Sequence, residues 1–262
     1  MTAFFTCALL FGALAPKISG KTIPSEANFV RNEVARGKNL LAENDIGKVL
    51  NDPYLVSALY YSDSFRTKIR TRKDIRDPQD DVMLGLMNFV TSAARRKYIA
   101  ELRSLANGPS DKNMVLPLDH YKQIVKNCRS CHPDAVDLFT EEGFPVKTMS
   151  SGIVVLVEGT WQPNNPLATT SPRGGNEVII FDPVQQRFYR YCHLGSVTVK
   201  VRDAVRVGQT IGTVGHTGLN ASLPGHGKHL HLEINQYDPR TGKDRSLMRP
   251  QLIHELERVR NK

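Results

Sequence analysis

The sequence predicts an α+β protein: a helical N-terminal region followed by an all-β C-terminal domain of antiparallel strands. Three observations predict it. Up to about Asn107 apolar residues recur at helical spacing, as in Val82, Leu86, Phe89, Val90 and Ala93 of DDVMLGLMNFVTSAARRKYIAELRSLANG. A polar stretch, NGPSDKN, follows and reads as a linker. Beyond it come short runs rich in Val, Ile, Tyr and Thr, separated by Gly, Pro and Asn, which is the pattern of antiparallel strands. A hydrophobic content of 40% supports an ordinary packed core.

The chain opens with MTAFFTCALLFGALAPKISGK. The apolar run over residues 3–15 is short for a bilayer span and right for the apolar part of a secretory signal. Ala13-Leu14-Ala15 offers small residues at a cleavage point, and Gly20 offers another. Residues 1–20 are therefore read as a signal peptide. Three features depart from that pattern or from lipidation: no Lys or Arg precedes the run, Pro16 follows Ala15, and Cys7 lacks a lipidation context. The mature chain is expected to be exported, periplasmic or extracellular, with no transmembrane segment.

Residues 21–118 form the expected helical region. Asp52-Pro53 reads as an N-cap followed by proline at the first helical position. The long run at 80–108 reads as helical and stops at Asn107-Gly108-Pro109. The formal net charge of +9 and a pI near 9.4 favour polyanionic surroundings. The sharpest basic cluster is Arg66, Lys68, Arg70, Arg72 and Lys73. No nucleic-acid-reading signature accompanies it, so no nucleic-acid partner is expected. It is either a solvated face or an anchor for an anionic surface.

Residues 119–245 hold the expected strands GIVVLVEGTW, NEVIIFD, QRFYRYCHL, GSVTVKV, QTIGTVG and KHLHLEIN, and RPQLIHELERVRNK within 246–262 closes the chain as a helix. Side chains alternate between faces along a strand. His229 and His231 therefore share one face, while Leu230 and Leu232 enter a core. Beyond the signal three cysteines remain, Cys128, Cys131 and Cys192, an odd number that describes no disulfide framework. A Cys128–Cys131 pair would leave Cys192 buried and free.

Four segments carry the candidate chemistry: CHPDAVDLFTEEGFPV, GGNEVIIFD, YRYCHL, and VRVGQTIGTVGHTG leading into KHLHLEI. In this order and spacing they resemble the catalytic domain of lysostaphin/LytM-type zinc metallopeptidases, which cleave peptide cross-links of bacterial cell wall. The resemblance covers about residues 120–240. It implies a lysostaphin-like duplicated hybrid motif, a zinc ion (Zn2+) and a peptidoglycan peptide substrate. The paired-histidine motif falls on His229-Leu230-His231, which makes His231 a zinc ligand and His229 a catalytic histidine. Tyr191-Cys192-His193-Leu194 matches the upstream motif, so His193 resembles the other catalytic histidine. Asp137, at the head of the stretch ending in Gly143-Phe144-Pro145-Val146, is the implied carboxylate ligand, ahead of Asp134. Two imidazoles and a carboxylate would leave zinc a fourth position for water, with a histidine moving protons.

Two departures stand out. Pro133 occupies the position of the family's first histidine ligand. His132 lies five residues before Asp137 and needs a one-residue bulge to serve, with His120 as the alternative. The loop HTGLNASLPGHGK is longer than usual and puts Lys228 before the paired histidines. Its His216 and His226 read as ordinary loop histidines near the cleft.

Other readings compete. CRSCH at Cys128 to His132 fits a c-type haem attachment pattern, but strands follow where a small helical domain would be expected. VRVGQTIGTVG is similar to biotinyl or lipoyl carrier repeats, without their hairpin lysine. A module that lost its ligands, binding wall or activating other hydrolases as a regulatory partner, is the alternative to a metalloendopeptidase. Retention of Asp137, His193, His229 and His231 favours the enzyme. The helical region would block the cleft, anchor the chain to wall, or buttress the β domain, with the basic cluster favouring the anchor.

Overall fold

The computed structural model describes residues 26–60, 77–106, 113–124, 133–165 and 168–261. The expected signal peptide, the basic cluster from Arg66 to Lys73, most of the polar linker, Cys128, Cys131 and His132 lie outside the described residues. Among the described residues no helix is long and apolar enough to cross a membrane.

The helical region holds α1 (Glu26–Glu43), α2 (Ile46–Leu50), α3 (Pro53–Tyr60), α4 (Pro78–Met87) and α5 (Ser92–Leu105). The Asp52 carboxylate accepts from the Leu55 amide at 3.1 Å, and Pro53 opens α3, as the sequence predicts. Helices α1 and α4 come close together because glycines face each other's side chains. A Cβ on Gly37 would run into Leu86, and one on Gly85 into Val34.

The long helical run expected over 80–108 is divided between two helices. Helix α4 ends at Met87, and the Thr91 hydroxyl accepts from the Ala94 amide at 3.1 Å to cap α5. The break turns Phe89 outward, 39% exposed with the Lys38 ammonium 5.1 Å from its ring centroid, although its spacing put it on the buried stripe. Val82 and Leu86 stay fully buried.

Among the described residues eleven strands follow, all paired antiparallel: β1 (Gln123–Ile124), β2 (Val136–Phe139), β3 (Pro145–Lys147), β4 (Gly152–Glu158), β5 (Glu177–Asp182), β6 (Arg187–Cys192), β7 (Leu194–Val197), β8 (Ala204–Val205), β9 (Thr210–Val214), β10 (His229–Asp238) and β11 (Lys243–Ser246). The larger sheet runs β1-β2-β10-β6-β5-β4-β8, with β11 also on β10; the smaller runs β3-β9-β7. The strand expected through GSVTVKV stops at Val197. The chain turns soon after, where the Lys200 amide donates to Asp203 Oδ2 at 2.8 Å, so the Val-Thr-Val alternation outlasts the ladder. The closing helix is α6 (Arg249–Arg260).

The large sheet has two buried faces. On one, Val154, Val178, Ile180, Tyr189, Tyr191, Leu230, Leu232 and Ile234 pack with Val146, Ile211 and Val214 of the small sheet and with Leu252 and Leu256 of α6. On the other, Ile153, Ile179, Phe181, Phe188 and Tyr237 join a core with Leu55, Leu59, Tyr60, Leu86 and Tyr98 of the helices. Period-two alternation along β10 puts Tyr237 on the same face as His229, His231 and Glu233. The helices thus cover one end of the face whose other end carries the paired histidines.

Candidate functional site

Strand β10 lies between β2 and β6, and its register sets His231 opposite both Asp137 and Cys192. The ladder therefore brings Asp137, 94 residues away in sequence, beside the paired histidines. His231 Nδ1 donates to Asp137 Oδ1 at 2.8 Å, and His229 Nε2 is 3.9 Å from the same oxygen. His193 follows β6 directly, at φ 62°. This left-handed conformation is uncommon for a residue with a side chain. It turns the imidazole toward the pair, with ring centroids 4.8 Å from His229 and 5.5 Å from His231.

Each flanking ring is held through Nδ1. His193 Nδ1 meets the Thr217 carbonyl at 2.7 Å, and His229 Nδ1 meets the Gly227 carbonyl at 3.1 Å. A carbonyl only accepts, so both Nδ1 atoms carry hydrogen and both Nε2 atoms keep a lone pair. Thr217 is fixed in turn by its hydroxyl, which donates to the Leu194 carbonyl at 2.9 Å. Gly218, at φ 105°, passes so close that a Cβ would meet the Arg173 carbonyl and the His193 ring. Phe139 stacks on His229 at 4.9 Å.

The electrostatics separate the three imidazoles. Burial pushes His193 well below the usual histidine range, and the neighbouring imidazoles add to it. Burial also lowers His229, partly offset by Asp137. Both are neutral near pH 7. Burial works against a charge on His231 as well, but its hydrogen bonds to Asp137 and Glu233 raise it to about 9. Burial opposes ionisation of Asp137, yet the hydrogen bond from His231 and the nearby imidazoles hold it below the usual carboxylate range.

Asp137, His193, His229 and His231 therefore meet in one cluster. Asp134 is buried in the turn before β2, and the register puts Asp137 rather than Asp134 opposite His231. His120 is exposed and packs edge-on against Phe144 at 5.5 Å. His226 is exposed, and His216 pairs with Glu142 at 2.9 Å on the rim, where Lys228 also approaches Glu142 at 3.7 Å. Cys192 is buried and free. Sequence reasoning passed over Glu233, whose Oε1 accepts from His231 Nε2 at 3.1 Å. The signal was available: it is the next residue on the His229-His231 face.

Among the described residues no group of three His, Cys, Asp or Glu side chains stands ready to hold a metal ion. Asp137 and His231 are the described part of the expected ligand set, and His132 lies outside it. The pair fits zinc in kind and in spacing. Zinc takes imidazole nitrogen and carboxylate oxygen, and tetrahedral ligands at about 2.0–2.1 Å lie roughly 3.3 Å from one another. The 2.8 Å between Asp137 Oδ1 and His231 Nδ1 is a small relaxation away from that.

Residues 132–244 match the model of peptidase family M23. Over 111 residues the chain is 33% identical to lysostaphin of Staphylococcus simulans, covering 42% of this chain and 20% of that protein. It is likewise 33% identical over 111 residues to the glycyl-glycine endopeptidase ALE-1 of Staphylococcus capitis, covering 26% of it. The chain thus spans about a fifth to a quarter of the length of these curated relatives. Among solved structures, a zinc-containing peptidase from Vibrio cholerae is 26% identical, with a TM-score of 0.39 over 52% of this chain and 39% of that one. The lysostaphin structure from Staphylococcus simulans is 28% identical, with a TM-score of 0.35 over 48% of this chain and 45% of that one. Segment 132–244 is thus similar to peptidase family M23 and to the matching part of lysostaphin.

Proposed function

We propose that the chain is a zinc-dependent endopeptidase that hydrolyses peptide bonds in the cross-links of bacterial peptidoglycan. The observation that carries this reading is the pairing of Asp137 with His231, flanked by two neutral histidines whose Nε2 lone pairs are available. Asp137 and His231 would hold the ion, with His132 as the expected third ligand. When bound, zinc supplies Lewis-acid chemistry that polarises a carbonyl and makes water more acidic.

The chain's own residues do the rest. Neutral His193 and His229 accept a proton at Nε2 from the attacking water and return one to the leaving amine, the general acid–base role that histidine fills near neutral pH. Their Nδ1 anchors on Thr217 and Gly227 keep the rings from turning during transfer. Phe139 fixes the plane of His229.

In this reading residues 119–245 are the peptidase domain, 246–262 its closing helix, 21–118 a buttress that shares its core, and 1–20 an export signal to the compartment that holds the wall. The similarity to lysostaphin and to a glycyl-glycine endopeptidase supports a peptide substrate. A wall-binding module without activity would not need four site residues kept together.

Digestion of purified peptidoglycan, with mass spectrometry of the products, tests the proposal. New peptide amino termini are expected, dependent on zinc. Cleaved glycan strands with intact peptides would sink it.

A further inference from the structure

Behind the paired histidines lies a row of charged groups, two buried glutamates and a part-buried arginine, that the reaction does not touch. It crosses three neighbouring strands. On β10, Glu233 is 3% exposed, and its Oε1 accepts from His231 Nε2 at 3.1 Å. On β6, Arg190 stands opposite Glu233 in the ladder, its Nη1 donating to the same oxygen at 3.4 Å. On β5, Glu177 is 3% exposed. Its Oε2 accepts from Arg190 Nε at 2.9 Å and from Arg190 Nη2. The Ser171 hydroxyl donates to that oxygen at 2.9 Å and accepts from Arg190 Nη2 at 3.1 Å, and the Cys192 thiol approaches it at 3.4 Å.

Enclosing charged groups in this way is expensive unless they are paired and hydrogen-bonded. A sheet face meant only for packing would carry apolar residues here, as it does one turn of the ladder further on at Phe188 and Tyr237. The row has a direction. Glu177 grips Arg190 from two nitrogens, Arg190 steadies Glu233, and Glu233 takes the hydrogen of His231 Nε2. That leaves His231 Nδ1 as the nitrogen facing Asp137. A metal-binding histidine is characteristically oriented by a carboxylate on its other ring nitrogen, which fixes the tautomer and makes the ligand more basic.

We propose that Glu233 is a positioning residue of the metal site, held by Arg190 and Glu177, which commits His231 to bind a divalent cation through Nδ1. This rests on the reading that Asp137 and His231 hold zinc. Glu233 itself does not touch substrate or metal.

The test is zinc affinity of the full chain, measured by competition with a chromophoric chelator, for wild type, Glu233→Gln and Glu233→Asp. Glu233→Gln keeps the shape but loses the charge, and a loss of about 10- to 100-fold in zinc affinity is expected. Circular dichroism checks that each variant is folded; if Glu233→Gln fails to fold, Glu233→Asp carries the comparison, with a smaller loss expected because the charge is kept. Nitrogen-15 spectra of the zinc-loaded protein should show hydrogen on His231 Nε2 in wild type. Wild type that binds zinc with a folded Glu233→Gln or Glu233→Asp of equal affinity, or with hydrogen on Nδ1, overturns the role of Glu233 and leaves the zinc reading standing. Wild type that binds no zinc removes the zinc reading, and this inference with it.

Discussion

One face of β10 serves two ends. At its start, His229, His231 and Glu233 stand among polar neighbours and face Asp137 and His193. Toward its end, Tyr237 lies with Phe188 and Phe181 beneath the helices. Strand geometry is the same throughout, so the difference is set by what covers each part. Helices exclude water over the apolar end, and burial there contributes by area. The polar end is enclosed by loops that supply carbonyls, and its stability depends on each charge finding a partner. One end should accept similar apolar residues, and the other should accept almost no change.

The largest effect should fall on the polar end. His193→Ala and His229→Ala should each lower kcat by about 10²–10⁴-fold, the usual worth of a positioned general acid or base, and keep zinc. His231→Ala should lose metal and activity together. Wall-digestion kinetics beside elemental analysis separates the two classes. Normal turnover in both His193→Ala and His229→Ala would break the assignment.

At the apolar end, Phe188→Ala should do the opposite. Its ring is buried, 4.7 Å from Phe181 and 4.9 Å from Tyr60. Removing a buried phenylalanine costs about 3–5 kcal/mol, or roughly 6–20 °C in Tm for a chain of this size. Zinc affinity of the folded protein should not change. A calorimetric scan and a zinc titration check both halves, and a large loss of affinity would mean that the two ends are coupled. The same reasoning predicts that a chain cut before Asn113 is insoluble, since Ile179, Phe181 and Phe188 lose their cover.

How much of this was readable beforehand follows the range of the interaction. Alternation in HLHLEIN reports which side chains share a face, and Leu230 and Leu232 lie fully buried in one core as it implies. The order of helices before strands was legible for the same reason. The break in the helical run was not, because the apolar spacing runs on through Phe89 and Val90 while the competing signal is the Thr91 hydroxyl alone. That helices cover the histidine face was not legible either, since an amphipathic stripe says that something is buried and not against what. Glu233 was visible by parity. Arg190 and Glu177 were not, because their place beside it depends on the register of β6 and β5.

Acidity should sharpen the comparison at intermediate size. In the metal-free protein His231 titrates near 9 rather than 6.5. Its pairing with Asp137 and Glu233 therefore stabilises fully below about pH 6.5 and is lost as pH rises through 9. His193 and His229 are lowered, so their contribution runs the other way and is lost as pH falls below their unfolded value. Zinc bound at His231 as proposed would displace its proton, so affinity should climb about tenfold per pH unit from neutrality until His231 has titrated. Zinc titrations at three pH values decide it; a flat profile would remove His231 from the ligand set.

The smallest effect should come from Thr91→Ala. Its hydroxyl satisfies the Ala94 amide at the start of α5, 3.1 Å away on an exposed surface. Loss of such a cap costs about 1 kcal/mol, or roughly 2–4 °C in Tm. Zinc affinity and turnover should be untouched, because α5 meets the β strands through the core around Tyr98 and through Arg95, which bonds Asp244 at 3.3 Å and the Gly242 carbonyl at 3.0 Å, away from the histidines. Thr91→Ser, which keeps the acceptor, should restore most of the loss. If Thr91→Ala were neutral while Thr91→Pro were equally tolerated, the cap would not be what divides α4 from α5, and the break would have to come from the packing of Val90 against the helical core.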